Sequence, residues 1–350
     1  MRLGRLFEDL DALAGNIAFF HVHNSTTGSS NSTSNTSTTG SNSSLTSSSS
    51  SSSSASERDY PIIVTASVDR IRLRSRPTAG SDQKLSGQVT WTGTSSMEIR
   101  MQCCTCNSNS NSTTSNSSTT PPSPPQEWLE AYVTFVTLDP VTKKPMRIPS
   151  VVPETKEEMA EFTAGAARAA ARKQRRKLPS STTMTNTMTH ASSPGTTTTP
   201  MMMIDTIAQQ LMIEAGPLLT MPSLADPHAI LLKDTVMQNA MIAQPQSSNL
   251  HNRVFGGFLI RRAFELAYSN AYLFGGARPI FLEVDEISFA SPVDVGDLLV
   301  FYSRILFTEN DAGPLRQYYQ PEDVTTTDSS DSDASVALMH VEVEARNPKR

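Results

Sequence analysis

One stretch of the 350-residue chain combines chemistry-bearing residues with a spacing that could use them. In Asn249-Leu250-His251-Asn252-Arg253-Val254-Phe255-Gly256-Gly257 a polar loop ends in a Gly pair, and an apolar-periodic helix begins at once. Leu259, Ala263, Leu266 and Ala267 fall near one face of that helix. Two glycines at a helix start let another molecule's atoms come close to the backbone. The first helical N–H groups have no partner within the helix, and the helix dipole favours negative charge there. Such a site can hold a carbonyl oxygen as it becomes an oxyanion. Read alone, a Gly pair before a helix is also an ordinary connection.

A second candidate lies near the start of the chain. Gly4 to Phe20 reads as a helix on which Leu6, Leu10, Leu13, Ala14 and Ile17 share a face. Glu8, Asp9 and Asp11 sit early in it, where acidic groups suit the dipole. That does not explain why Asp11 stands beside the apolar Leu10 and Ala14. A carboxylate there has its pKa raised by desolvation, which suits a general base.

Other constellations are weaker. No Gly-x-Ser-x-Gly turn is present to carry a serine nucleophile, so His251 reads as a loop-packing or substrate-lining residue. Cys103, Cys104 and Cys106 lack a fourth ligand and continue the alternating run from Met97, so they read as strand residues and not as a metal site. The basic run Arg172-Lys173-Gln174-Arg175-Arg176-Lys177 closes a predicted helix at Glu154–Lys177, where cations suit the dipole. Arg253, Arg261 and Arg262 could meet phosphates, although a solvated helix face explains Arg261 and Arg262 equally well.

The elements around these residues are predicted as follows. Strands are expected at Pro61–Ile71, Gly87–Gly93, Ser96–Met101 and Trp128–Leu138. Further strands are expected at Ala229–Val236, Pro279–Ile287, Leu298–Phe307 and Val336–Ala345, with helices at Ile204–Glu214 and Gly257–Phe274. Gly275-Gly276 is the expected C-cap of the last helix. Segments 24–56, 107–125, 180–200 and 325–333 are rich in Ser, Thr and Asn or in acidic residues, and read as disordered inserts because they cannot bury enough apolar surface.

The two halves repeat. Each has a Gly-opened helix and then a strand ending in Val-Asp-x-Ile, Val68-Asp69-Arg70-Ile71 in one and Val284-Asp285-Glu286-Ile287 in the other. Gly257 to Asp285 spans 28 residues and Gly4 to Asp69 spans 65, and the insert at 24–56 accounts for 33 of the 37 extra. A duplicated helix-plus-antiparallel-sheet unit follows, an α+β fold.

Phe-Gly-Gly entering a long helix, with Asn249 eight residues before the second Gly, resembles the hotdog-fold acyl-CoA thioesterases. The text His251–Leu259 and the stretch Ser288–Leu299 resemble most closely the double-hotdog mitochondrial acyl-CoA thioesterase 9 branch. The resemblance implies a tandem hotdog with residues 1–150 as domain 1, 151–227 as a helical and disordered linker, and 228–350 as domain 2. It implies that the chain lacks its first strand and loop in domain 1 and a last strand in domain 2.

In similar proteins the catalytic Asp falls seven residues after the glycine that starts the helix, which is Asp11, and the catalytic Asn is Asn249. The resemblance further implies Gly257 N–H as the oxyanion donor, with Gly256, Phe255, His251 and Arg253 lining the substrate. The mirror site has Phe264 where the Asp would be, with Glu265 beside it, and is expected to be inactive. The implied activity is hydrolysis of acyl-CoA to free acid and CoA at a site shared by the two domains, with no metal or cofactor and a homo-oligomer formed through the sheets. The alternatives are a non-catalytic acyl-CoA-binding or scaffold protein and an enoyl-CoA hydratase, though the hydratases use an Asp and a His in one loop and His251 has no such Asp.

Composition limits the class. Net charge is −5 at a pI of about 5.7, which argues against a nucleic-acid binder. Hydrophobic residues are 37% and aromatics 6%, a local deficit that fits ordered parts alternating with inserts. No apolar run reaches a membrane span. A mitochondrial home is implied by the resemblance, while the residues show no transit peptide, which leaves a cytoplasmic home open.

Overall fold

The computed structural model describes residues 3–27, 60–75, 77, 81–106, 126–175, 200–221, 223, 229–248, 253–309 and 337–348. The chain forms two compact units, the first gathering Met1–Ala170, Ile242–Phe264 and Ile280–Asp297, the second Ala171–Met241, Glu265–Pro279 and Leu298–Arg350. The first unit thus draws on both sides of the expected linker.

The first unit is a helix on an antiparallel sheet, the layout of a hotdog. Helix α1 spans Leu3–Thr27 and continues past the expected end at Phe20 into the Ser/Thr-rich segment. Leu6, Phe7, Leu10, Ala14, Ala18 and Val22 are all buried, at steps that keep them on one face. They meet the sheet of β1 (Ile62–Leu73), β2 (Asp82–Thr92), β3 (Ser96–Cys106) and β4 (Gln126–Leu138), which lie in the order β2-β3-β4-β1. Every pairing among them is antiparallel. Alternation sends Met97, Ile99, Met101 and Cys103 of β3 and Leu129, Ala131, Val133 and Phe135 of β4 into the same core as the helix. The cysteines are strand residues as expected, and burial pushes the Cys103 thiol up to about 11, so it stays an inert thiol.

The opposite parity of β3 and β4 carries Glu98, Arg100, Glu130 and Tyr132. Helix α2 (Lys156–Arg175), from the segment expected to be a linker, approaches this side so closely that a Cβ on Gly165 would lie 2.6 Å from the Trp91 Cβ. Arg168 grips the fully buried Glu98 through two hydrogen bonds of 2.9 and 2.7 Å and stacks on the Tyr132 ring at 4.1 Å.

The expected strand at Pro279–Ile287 is two short pieces, β6 (Glu283–Val284) and β7 (Ile287–Ser288). Both pair antiparallel with β1, Val284 opposite Ile71 and Ile287 opposite Val68. The two copies of Val-Asp-x-Ile therefore run against each other, the Val of each facing the Ile of the other, as a local two-fold relation requires.

The second unit holds α3 (Pro200–Thr220), the later residues of α4 (Gly256–Gly275), and a sheet of β5 (Met237–Ile242), β8 (Leu298–Glu309) and β9 (Leu338–Arg346) in the order β5-β8-β9. Leu299, Phe301, Ser303 and Ile305 alternate inward from β8. Buried Asn270 of α4 donates to Ser303 Oγ at 3.1 Å and to the Thr235 carbonyl at 3.0 Å, which seats the helix on the sheet. The strand expected at Ala229–Val236 is a correction: Leu232–Thr235 is a 3-10 turn, closed by Thr235 Oγ1 donating to the Leu232 carbonyl at 2.8 Å, and the strand begins only at Met237. Gly276 closes α4 with φ +66°, its N–H donating to the Tyr272 carbonyl at 3.0 Å, a conformation that needs glycine.

Candidate active site

The site is built where the first turn of α4 meets α1 inside the first unit. Asp11 projects from α1 and is 7% exposed, on the same apolar face that the core uses. Its Oδ2 accepts a 2.7 Å hydrogen bond from the Gly257 N–H, one of the donors that a helix start leaves without an intrahelical partner. Its Oδ1 accepts a 3.0 Å bond from Thr65 Oγ1 on β1. Burial raises the Asp11 pKa above the ordinary 3.8, and the bonds from Gly257 and Thr65 pull it back. The result is a carboxylate held at two points, nearly dry, with a raised proton affinity.

Both glycines are there for close approach. A Cβ on Gly257 would come within 3.0 Å of Glu8 Cα and 3.1 Å of the Phe7 carbonyl oxygen. A Cβ on Gly256 would lie 3.1 Å from Thr65 Oγ1 and 3.3 Å from Phe289. One turn on, Arg261 pairs with Glu8 at 3.2 Å, bracing the same crossing on its wetter side.

The sequence-predicted residues divide as follows. Asp11, Gly256 and Gly257 come together. The Gly257 N–H, the expected oxyanion donor, donates to Asp11 Oδ2. Phe255 is 46% exposed beside the Gly pair. Arg253 is half-buried and bridges to Asp294 in the backbone, while Val254 N–H donates to the Val293 carbonyl at 2.9 Å. Ser248 and Val254 bridge antiparallel at the two ends of the loop. Asn249 and His251 lie outside the described residues. Phe264, at the mirror of the Asp position, is partly buried and packs against the core: its ring stands edge-on to Phe7 at 5.1 Å and to Phe281 at 5.4 Å. Thr65 was not legible in sequence, because a Thr in a β-branched strand run reads as strand propensity.

Among the described residues no group of three or more His, Cys, Asp or Glu side chains could hold a metal ion, and no helix is long and apolar enough to cross a membrane.

No family model matches the chain. Among curated proteins it is 35% identical over 309 residues to acyl-coenzyme A thioesterase 2, chloroplastic, of Humulus lupulus, a match that covers 88% of this chain and 58% of that protein. It is 30% identical over 313 residues to human acyl-coenzyme A thioesterase 9, mitochondrial, covering 89% of this chain and 58% of that protein. The chain therefore spans somewhat more than half the length of these relatives. A solved structure of an apo-hexameric acyl-CoA thioesterase is 31% identical over 33% of this chain and 66% of its own, with a TM-score of 0.27. Over about 88% of its length, then, the chain is similar in sequence to acyl-CoA thioesterases.

Proposed function

We propose that the protein is an acyl-CoA thioesterase in which Asp11 is the general base. The observation that carries this reading is the buried Asp11 carboxylate fixed by Gly257 and Thr65 at a helix N-terminus. Asp11 takes a proton from water as the water oxygen bonds to the thioester carbonyl carbon. The carbonyl π pair moves onto oxygen, and N–H groups of the first turn of α4 stabilise that charge. Collapse expels the CoA thiolate, and Asp11 returns its proton to the sulfur, giving free acid and CoA. Asn249 is proposed to position the water or carbonyl, with Phe255, His251 and Arg253 along the substrate. No metal or cofactor enters these steps.

We also propose a tandem hotdog, supported by the reciprocal pairing of Val68 with Ile287 and Ile71 with Val284. Association of copies through sheet faces and a mitochondrial home are further proposals, the latter in line with the relatives named mitochondrial. The test is release of free thiol from short, medium and long acyl-CoAs by the purified protein. Turnover of any of them supports the reading. Tight binding of an acyl-CoA with no thiol release from the whole panel would replace it with the binding-protein alternative.

A further inference from the structure

The Gly257 N–H, the proposed oxyanion donor, is already engaged. Gly257 N–H lies 2.7 Å from Asp11 Oδ2, well within a charge-assisted bond. Nothing bulky separates the two groups, since even a Cβ on Gly257 would strike Asp11. The other carboxylate oxygen has its own anchor, the Thr65 hydroxyl at 3.0 Å. The carboxylate therefore has one oxygen that can stay bound while the other lets go.

We propose that Asp11 occupies the oxyanion position in the absence of substrate, and that the Gly257 N–H passes from Asp11 Oδ2 to the substrate carbonyl oxygen as the reaction proceeds. The inference rests on the thioesterase reading of this site and adds how the site is gated. A neutral thioester carbonyl is a weaker acceptor than a carboxylate, so the exchange is held back in the ground state. During attack the charges change places. The water proton arrives on Asp11 and neutralises it, the new C–O bond forms, and the carbonyl π pair leaves a full charge on the substrate oxygen. The N–H follows the negative charge, so the bond is strongest to the substrate in the transition state, where it speeds the step. Thr65 keeps Oδ1 in place while Oδ2 turns toward the water. Glu8 from α1 and Arg261 from α4 also meet at this crossing and pair with each other at 3.2 Å, with Arg5 also on Glu8 at 3.0 Å.

The test uses two unreactive acyl-CoA analogues of equal length. In one a methylene replaces the sulfur, so the carbonyl remains as a ketone; in the other a methylene replaces the carbonyl, leaving a thioether. Asp11→Ala removes the competing acceptor and should tighten ketone binding by about tenfold, the worth of one hydrogen bond, relative to its effect on the thioether. Asp11→Asn keeps an acceptor oxygen and should show no such gain. In the wild-type protein the Gly257 amide resonance should move with the ketone and stay with the thioether, a readout that does not depend on either variant folding. Equal changes for both analogues, with an unmoved Gly257 amide, would overturn the proposal and leave the thioesterase reading standing. Failure of the wild-type protein to bind either analogue would overturn both.

Discussion

A Cβ on Gly257 would lie 2.7 Å from the Cβ of Asp11, closer than real side chains come. The second residue of α4 and the acid on α1 are thus fitted to one another through the absence of a side chain. Gly257→Ala must push the crossing apart or tilt it, breaking the bond to Asp11. It should destabilise by about 1–3 kcal/mol and lose most activity. Gly15→Ala on α1 is the control: a Cβ there meets nothing within 4 Å, and the change should be neutral or stabilising by up to about 1 kcal/mol. Denaturant midpoints and thiol-release rates on both variants check the contrast.

Thr65→Val keeps the shape of the side chain and removes one of the two bonds to Asp11. Hydrogen bonds to a charged group contribute about 1.5–3 kcal/mol, so kcat/KM should fall by about ten- to a hundredfold. The lost bond is one that lowers the Asp11 pKa, so the acidic limb of the pH–rate profile should move to higher pH.

Burial also ties Asp11 to stability. Its folded pKa is raised above the ordinary 3.8, so between that value and the folded one the native state holds more proton than the unfolded chain. The stability that Asp11 contributes is complete below the unfolded pKa and is lost as pH rises through the folded pKa. Asp11→Asn avoids burying a charge while keeping an acceptor for Gly257. It should therefore be more stable than wild type near pH 7, with the difference closing as pH falls to about 3. Urea titrations of both proteins across that range give the sign.

Glu98 is fully buried and held by Arg168. Arg168→Met leaves that carboxylate without its bidentate partner and should destabilise the protein by about 3–5 kcal/mol. Adding Glu98→Gln should recover much of the loss, because the amide carries no charge to bury. Thermal or denaturant unfolding of the single and double variants measures the coupling.

Much of this architecture was written in local patterns. The face of α1 was legible because Leu6, Leu10 and Ala14 repeat at helical spacing, and β3 because Met97, Ile99, Met101 and Cys103 alternate. Asp11 stood out as a polar residue beside an apolar stripe. The limits were tertiary. That Thr65 holds Asp11 depends on a contact across 54 residues, which no local pattern records. Gly257 was legible as a donor at a helix start, but not the acceptor it meets. The 3-10 turn at Leu232–Thr235 was misread as strand because its apolar run hides a side-chain bond, Thr235 to the Leu232 carbonyl. The place of α2 against the sheet was missed because its contact rests on Gly165 and Arg168, residues that no local apolar pattern marks.

The most direct measurement is thiol release from acyl-CoA by wild type and Asp11→Asn at matched, folded concentrations. The account predicts turnover by wild type and a loss of about a hundred- to ten-thousandfold in the variant, with acyl-CoA still bound. Equal turnover by the two proteins would contradict it.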